Sequence, residues 1–453
     1  MLKEKCGVFG IYSNSDDVSY TIRDGLFSLQ HRGQESAGIS VLRDGKIYSQ
    51  KCPGEVVGLT DELLSKLSGT MGIGHVRYST AGEKSLKNAQ PMDRSTSKFN
   101  ISLAFNGNVP DHEKLKEELL RHGYIFQTDS DTEVILTLYL RERAENDVWD
   151  ACKNLMEDLP GSYSTLIMSD YEKLHLLAYR DPFGVKPLCV GKRGDDYLIS
   201  SETIALEQTD AEFVKEVEPG EAVLISEDGL ESKKLVKSNR HAHCAFEFDY
   251  FSHPGSEWEG RQIYSVRKRL GELLYELYPI DADVVIPVPD SGRSGAIGYS
   301  RRSGIPYEDG LIKNKFVGRT FIMPHQKKRE NAVKHKLIPV KSVIKDKDVV
   351  VVDDSIVRGT TSKRVTNILK RWTKKVHLLS TFPKVTEPCY LGIDFPTKRE
   401  LIASNKDIDE ITKEIGADTV GYMTIEGLID GIGLPENDLC LACLNKNCPI
   451  RLS

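Results

Sequence analysis

Long apolar runs are missing from this chain: no stretch of its 453 residues is long enough to span a bilayer, and the N-terminal Met-Leu-Lys-Glu-Lys lacks the apolar core of a signal peptide. No membrane partner is expected, and the location implied is cytoplasmic. A basic excess is missing as well. The formal net charge of −6 gives no global positive field, which argues against nucleic acid as the main partner. A disulfide framework is the third absence, because nine cysteines are an odd number spread over a long chain. In a reducing compartment the informative thiols are then catalytic or metal-binding. Hydrophobic content is ordinary, and the length is too great for one core, so two domains of roughly 200 residues each are expected.

The most informative stretch is 349–362, Val-Val-Val-Val-Asp-Asp-Ser-Ile-Val-Arg-Gly-Thr-Thr-Ser. Four consecutive valines read as a strand buried on both faces, as in a parallel sheet, and helical spacing follows Thr360. The turn between them belongs at the carboxyl edge of the sheet, where open α/β sheets bind ligands. Gly359 allows close approach of a phosphate, Ser355, Thr360 and Thr361 offer hydroxyls and N–H groups, and the helix N-terminus favours an anion. Asp353 and Asp354 would repel that phosphate unless the ligand also carries ribose hydroxyls or a hard cation such as Mg²⁺. A ribose 5-phosphate satisfies both demands. The string resembles the phosphoribosylpyrophosphate (PRPP) signature of type I phosphoribosyltransferases. That resemblance implies that the paired acids hold the ribose hydroxyls and Mg²⁺, and that Ser355, Arg358, Gly359, Thr360 and Thr361 hold the 5-phosphate.

The N-terminal half repeats one pattern, a strand running into a polar, glycine-bearing loop. It occurs at Cys6-Gly7-Val8-Phe9-Gly10, at His31-Arg32-Gly33-Gln34-Glu35-Ser36-Ala37-Gly38 after a helix from about Asp17 to Gln30, at Gly74-His75-Val76-Arg77-Tyr78-Ser79-Thr80-Ala81-Gly82, and at Phe105-Asn106-Gly107-Asn108. Singly, each reads as turn chemistry. In this order, together with Ser130-Asp131-Thr132-Glu133, they resemble the N-terminal-nucleophile glutamine amidotransferases over residues 6–235. Releasing ammonia from a glutamine amide needs a nucleophile, a base and an oxyanion hole. Cys6 is the candidate nucleophile, and removal of a propeptide 1–5 would make its own α-amine the base. The resemblance implies an oxyanion hole from Asn106 and the Gly33 N–H, Arg77 on the glutamine α-carboxylate, Asp131 on its α-ammonium, and Arg32 and Gly107 lining the site. A fork for a carboxylate and an acid for an ammonium suit the charges. One departure is Phe105, where the family pattern leads one to expect histidine. Cys52, Cys152 and Cys189 lie outside the motifs and read as inert core thiols.

Residues 226–240 are charged and weakly periodic and mark the boundary, giving domains 6–235 and 236–453. In the second domain the strand Asp283–Pro289 runs into Asp290-Ser291-Gly292-Arg293-Ser294-Gly295, a second anion cradle. PRPP carries a pyrophosphate as well as a 5-phosphate, so two cradles are expected. By resemblance Asp290, Ser291 and Gly292 meet the pyrophosphate, with Ser291 also near Mg²⁺. The basic stretch from Lys313 to about Lys336 reads as a lid over the pyrophosphate, with a nucleic-acid-binding charge run as its competitor.

Joined in this order, the halves resemble the glutamine phosphoribosylpyrophosphate amidotransferase family. That implies a four-layer αββα Ntn-hydrolase domain followed by a parallel-sheet α/β phosphoribosyltransferase domain. The implied reaction makes 5-phosphoribosylamine from PRPP and glutamine at the first committed step of purine synthesis. Feedback by purine nucleotides and a homotetramer are implied too. The alternative from another class is a non-enzymatic PRPP-sensing regulator that keeps the phosphoribosyltransferase fold and binds DNA, although such a protein has no use for a glutaminase.

Cys440-Leu441-Ala442-Cys443 is a Cys-x-x-Cys pair whose spacing fits zinc, a redox dithiol or an iron–sulfur cluster alike. Cys244 and Cys389 stand in strings resembling those that bear the other ligands in cluster-containing members of the family, which implies a structural 4Fe-4S cluster on Cys244, Cys389, Cys440 and Cys443. Zinc on four thiolates remains open. Cys448 lies close enough to replace Cys443 but stands outside the matching motif.

Overall fold

The computed structural model describes residues 6–15, 17–78, 86–96, 98–314 and 337–450. The expected propeptide 1–5, the end of the third motif from Ser79 to Gly82 and the expected lid from residue 315 to 336 lie outside the described residues.

Two antiparallel sheets stack in the N-terminal half. One has seven strands in the spatial order Glu212–Glu216, Cys189–Arg193, Asp196–Ser200, Gly7–Tyr12, Met71–Arg77, Ser36–Arg43 and Lys46–Pro53. The other has six, Gly229–Lys234, Glu221–Ser226, His175–Arg180, Ser162–Ser169, Asn100–Asn108 and Met92–Ser95. Successive side chains of a strand point to opposite faces, and this alternation builds the layers. In Gly7–Tyr12, Phe9 and Ile11 face the helix Val18–Ser28, whose Val18, Ile22 and Leu26 meet them. Val8 faces the other way, into a core between the sheets shared with Ala104, Leu166 and Met168. In Asn100–Asn108, Ile101, Leu103 and Phe105 face the helices Asp131–Arg143 and Val148–Asp158. The order is helix, sheet, sheet, helix, the four-layer αββα arrangement expected from the motifs.

The C-terminal half holds a parallel sheet of four strands in the spatial order Val284–Pro287, Asp348–Asp353, Lys375–Ser380 and Thr419–Tyr422. All four consecutive valines are fully buried, as the apolar run requires. Val350 and Val352 face the helices Ile263–Leu277 and Arg293–Ser303, while Val349 and Val351 face Thr360–Leu369 and Ile408–Ile415. Each such burial contributes roughly 1.5–3 kcal/mol. The two helices on the first face touch through glycine, since a Cβ on Gly271 would lie 1.9 Å from the Gly295 carbonyl oxygen.

The halves share packing. Val185 belongs to the same core as Cys244, Phe246, Phe248 and Trp258, and Ser162 Oγ donates to the Leu391 carbonyl at 2.7 Å. Leu235 and Val236 still bond back to the Gly220 carbonyl, and the second half begins where His243–Cys244 pairs in parallel with Leu439–Cys440.

Candidate functional site

Cys6 immediately precedes the central strand Gly7–Tyr12 of the seven-stranded sheet and is 9% exposed. Its Sγ lies 3.4 Å from the Tyr78 carbonyl oxygen, at the end of the neighbouring strand Met71–Arg77. The same strand end carries Arg77, whose Nη1 donates to Glu35 at 2.9 Å. Gly33 presses against this strand: a Cβ there would stand 2.4 Å from the Val76 carbonyl carbon, so only glycine fits. The second sheet reaches the same spot, with His75 Nε2 3.0 Å from the Phe105 carbonyl oxygen. Asn106 follows, 2% exposed, and its Nδ2 is buried without a hydrogen-bond partner. Gly107 is held against the next strand, where a Cβ would fall 2.0 Å from the Ser162 carbonyl oxygen.

Asp131 opens the helix Asp131–Arg143, capped by Ser130, and its Oδ2 is likewise buried without a partner. Burial pushes its carboxyl above the usual range, against the opposing pull of His112, the Thr132 and Val109 backbone N–H groups and Arg77. A buried donor on Asn106 and a buried acceptor on Asp131 are each costly unless a ligand satisfies them. Cys6, Gly33, Arg77, Asn106, Gly107 and Asp131 are thus drawn to one end of the two-sheet stack.

Two expectations change. Arg32 is fully buried, with Nε donating to the Cys6 carbonyl oxygen at 2.9 Å and Nη1 and Nη2 on Glu202 and Glu247. It grips the residue that bears the thiol. Phe105 is 2% exposed with its ring in the helix-facing core near Tyr163. Strand alternation sends its side chain away from Asn106, so the absent histidine leaves no gap beside the amide.

In the second half the turn after Asp348–Asp353 lies beside the turn after Val284–Pro287, because those strands are neighbours in register. Ser291 Oγ donates to Asp354 Oδ1, and Ser355 Oγ donates to Asp354 Oδ2 at 2.8 Å, tying the two cradles together. Burial first, and then the neighbouring Asp354, push the Asp353 carboxyl well above its ordinary range. Such a pair calls for a cation or hydroxyl donors. Gly359 has φ 71° and precedes the helix Thr360–Leu369, while Gly292 precedes Arg293–Ser303 and comes so close to the sheet that a Cβ would be 2.3 Å from the Val352 carbonyl oxygen. Asp290 is reached by Lys313, whose Nζ is 2.9 Å from Oδ2. Arg358 departs from expectation: its guanidinium bonds Glu400 and the Asp394 carbonyl, leaving its backbone but not its charge at the cradle.

Sequence reading missed Asp249. Its Oδ1 accepts from Thr381 Oγ1 at 2.9 Å and its Oδ2 is buried without a partner. Burial, then the charge of Asp354, push this carboxyl up to about 8. The available signal was an acid set inside the aromatic run Phe246–Phe251.

Cys244, Cys389, Cys440, Cys443 and Cys448 line one cavity of about 190 Å³, together with Val185, Leu391 and Ile393. Cys244 pairs with Cys440 across the parallel bridge, and the Thr386 and Glu387 N–H groups both donate to the Cys443 carbonyl, bringing the loop that carries Cys389 alongside. Burial pushes these thiols up, and Cys389, Cys440 and Cys244 each add to the shift at Cys443. None of the nine cysteines is in a disulfide. Among the described residues no group of three or more His, Cys, Asp or Glu side chains is arranged to hold a metal ion.

Residues 75–208 match the family model of a glutamine amidotransferase domain. The chain is 47% identical to an amidophosphoribosyltransferase of Methanocaldococcus jannaschii, covering 99% of this chain and 98% of that protein. It is 43% identical to the Bacillus subtilis enzyme of the same name, covering 100% of this chain and 95% of the relative. The chain belongs to the amidophosphoribosyltransferase family. The structure of glutamine PRPP amidotransferase from B. subtilis complexed with ADP and GMP superposes with a TM-score of 0.91 at 42% identity, over 98% of both chains. As an amidophosphoribosyltransferase, the chain uses glutamine and PRPP to make 5-phosphoribosylamine, pyrophosphate and glutamate, the first step of purine biosynthesis. The non-enzymatic PRPP sensor is not favoured.

Proposed function

We propose that glutamine is cleaved at Cys6 and that the ammonia is joined to PRPP at the Asp353–Asp354 turn. The Cys6 thiolate attacks the side-chain amide carbon of glutamine, with the α-amine of Cys6 taking the thiol proton and returning one to the departing ammonia. The Asn106 amide and the Gly33 N–H stabilise the oxyanion, Arg77 and Asp131 hold the amino-acid end, and water then releases glutamate from the thioester. The reading is carried by the two buried, unpartnered polar atoms at one site, Asn106 Nδ2 and Asp131 Oδ2, which match an oxyanion and an ammonium in charge. Since an extended N-terminus has no such amine, the active form begins at Cys6.

Asp353, Asp354 and Ser291 would hold Mg²⁺, which supplies charge to the leaving pyrophosphate. Asp290 and Gly292 lie at the pyrophosphate end, and Ser355, Gly359, Thr360, Thr361 and the Arg358 backbone form the 5-phosphate loop. Cys244, Cys389, Cys440 and Cys443 line one cavity with Cys448, and the family-like strings around Cys244 and Cys389 support a 4Fe-4S cluster on Cys244, Cys389, Cys440 and Cys443 over one zinc. Neither half-reaction moves electrons, so its part is to clamp the C-terminal segment. Feedback by purine nucleotides, a homotetrameric assembly and a cytoplasmic location complete the proposal; nine thiols outside any disulfide suit a reducing compartment.

Cys6→Ala tests the core of this reading. Glutamine-dependent synthesis is expected to vanish while free ammonia at high pH still supports product formation; loss of both would argue against separate sites. Protein purified without oxygen is expected to be brown with about four irons per chain. Colourless protein with one zinc would replace the cluster assignment.

A further inference from the structure

Arg32 holds the carbonyl oxygen of Cys6 through Nε at 2.9 Å, and what holds Arg32 comes from both halves of the chain. Glu202, at the start of a short helix on the seven-stranded sheet, accepts from Nη1 at 2.5 Å. Glu247 accepts from Nη1 at 3.0 Å and from Nη2 at 2.8 Å, a bidentate fork, and is separated from Arg32 by 215 residues. It lies on the π-helical turn Glu247–Phe251 of the phosphoribosyltransferase half. Both carboxylates and the guanidinium are almost fully removed from solvent. Lys186 Nζ also stands 3.8 Å from Glu247 Oε1, and Ser252 Oγ donates to Oε2 at 3.0 Å. His31 Nε2 is 2.8 Å from the same Glu202 oxygen that accepts from Arg32, while the other oxygen accepts from the His253 N–H and Ser256 Oγ, both at 2.7 Å.

At the centre the Arg32 guanidinium lies between two carboxylates, Glu202 and Glu247, and Lys186 also approaches Glu247. The Glu247 carboxylate is held by Arg32 through both of its oxygens and approached by Lys186 at Oε1. Neutralising Glu247 would leave two cations, almost fully removed from solvent, beside one carboxylate. The guanidinium is then pulled towards Glu202 and away from the Cys6 carbonyl, and the thiol moves with its own backbone.

We propose that Glu247 is a positioning residue for the glutaminase half-reaction, supplied across the domain junction by the phosphoribosyltransferase half, and that it acts by keeping Arg32 locked on the Cys6 carbonyl. The glutaminase half is therefore incomplete by itself, because one carboxylate of its buried clamp belongs to the other domain. This rests on the reading of Cys6 as the nucleophile, which the Cys6→Ala variant tests separately.

The test uses the full-length enzyme with Glu247→Gln, which keeps shape and removes charge. Positioning predicts that kcat for glutamine falls by about ten- to a hundredfold, the scale for a slightly misplaced reacting group, with KM for glutamine little changed. Alkylation of Cys6 by an electrophilic glutamine analogue is expected to slow at saturation without a shift in half-saturating concentration. Ammonia-dependent synthesis, which bypasses Cys6, is expected to be preserved. An unchanged glutamine kcat, or a rise confined to KM, overturns the proposal. If Glu247→Gln loses ammonia-dependent synthesis as well, Glu247→Asp decides: recovery of ammonia use with glutamine turnover still lowered supports positioning, and equal recovery or equal loss of both overturns it. Glutamine turnover persisting in Cys6→Ala would instead sink the nucleophile assignment on which the inference stands.

Discussion

The two candidate sites are built in opposite ways. The PRPP turn is nearly continuous, from Asp353 to Thr361 in one loop, with a second loop at Asp290–Gly292 brought alongside by parallel register. The glutaminase site gathers Cys6, Gly33, Arg77, Asn106 and Asp131 from five separate segments on two sheets and a helix. A parallel strand delivers its whole following loop to one sheet edge, so a ligand with a phosphate finds its donors in consecutive residues. An antiparallel stack delivers only strand ends, and each contributes one group. The dispersed site accordingly depends on packing to bring its charges together, as in the clamp of Arg32 with Glu202 and Glu247.

That difference can be broken at either side. Asn106→Ala removes the buried amide donor and is expected to lower glutamine-dependent kcat by roughly 10²–10³, the usual loss for an oxyanion donor, while ammonia-dependent synthesis is retained. Steady-state assays with both nitrogen sources check this, and parallel loss of both would mean that the amide is structural. Asp353→Asn or Asp354→Asn is expected to do the reverse, weakening PRPP use by about a hundredfold and sparing basal glutaminase. PRPP kinetics unchanged in both variants would remove the acid pair from the site.

A smaller effect separates binding from chemistry within the dispersed site. Asp131→Asn takes away the acceptor for an ammonium, so the KM for glutamine should rise by roughly ten- to a hundredfold with kcat less affected, as for one hydrogen bond to a charged group. A kcat loss at constant KM would assign Asp131 to another role.

The smallest effect is on stability. The Asp249 carboxyl titrates at about 8 in the folded protein against about 3.8 unfolded, so the folded state binds one more proton between those values. The favourable contribution of the protonated form is whole below about 3.8 and is lost as pH rises through about 8. Without Mg²⁺ and PRPP, Asp249→Asn should therefore raise Tm over the parent at pH 9 and lose that advantage towards pH 4. Parallel Tm curves across this range would show that Asp249 does not titrate there.

What the sequence determined by itself was whatever lies in consecutive residues or in strict alternation. The four valines before Asp353 read as a doubly buried parallel strand, Gly359 as a close approach to a phosphate, and the order of the motifs at Cys6, Gly33, Arg77, Asn106 and Asp131 implied the two-sheet half by family resemblance. Tertiary structure decided where side chains point and which charges meet. Phe105 turned into a helix-facing core, Arg32 and Arg358 turned to buried or local acids, and Asp249 and Glu247 met partners 132 and 215 residues away. The physical reason is that a local pattern is set by backbone geometry repeated every two or three residues. The ionisation of a buried carboxylate depends instead on which cation the fold places within about 4 Å of it.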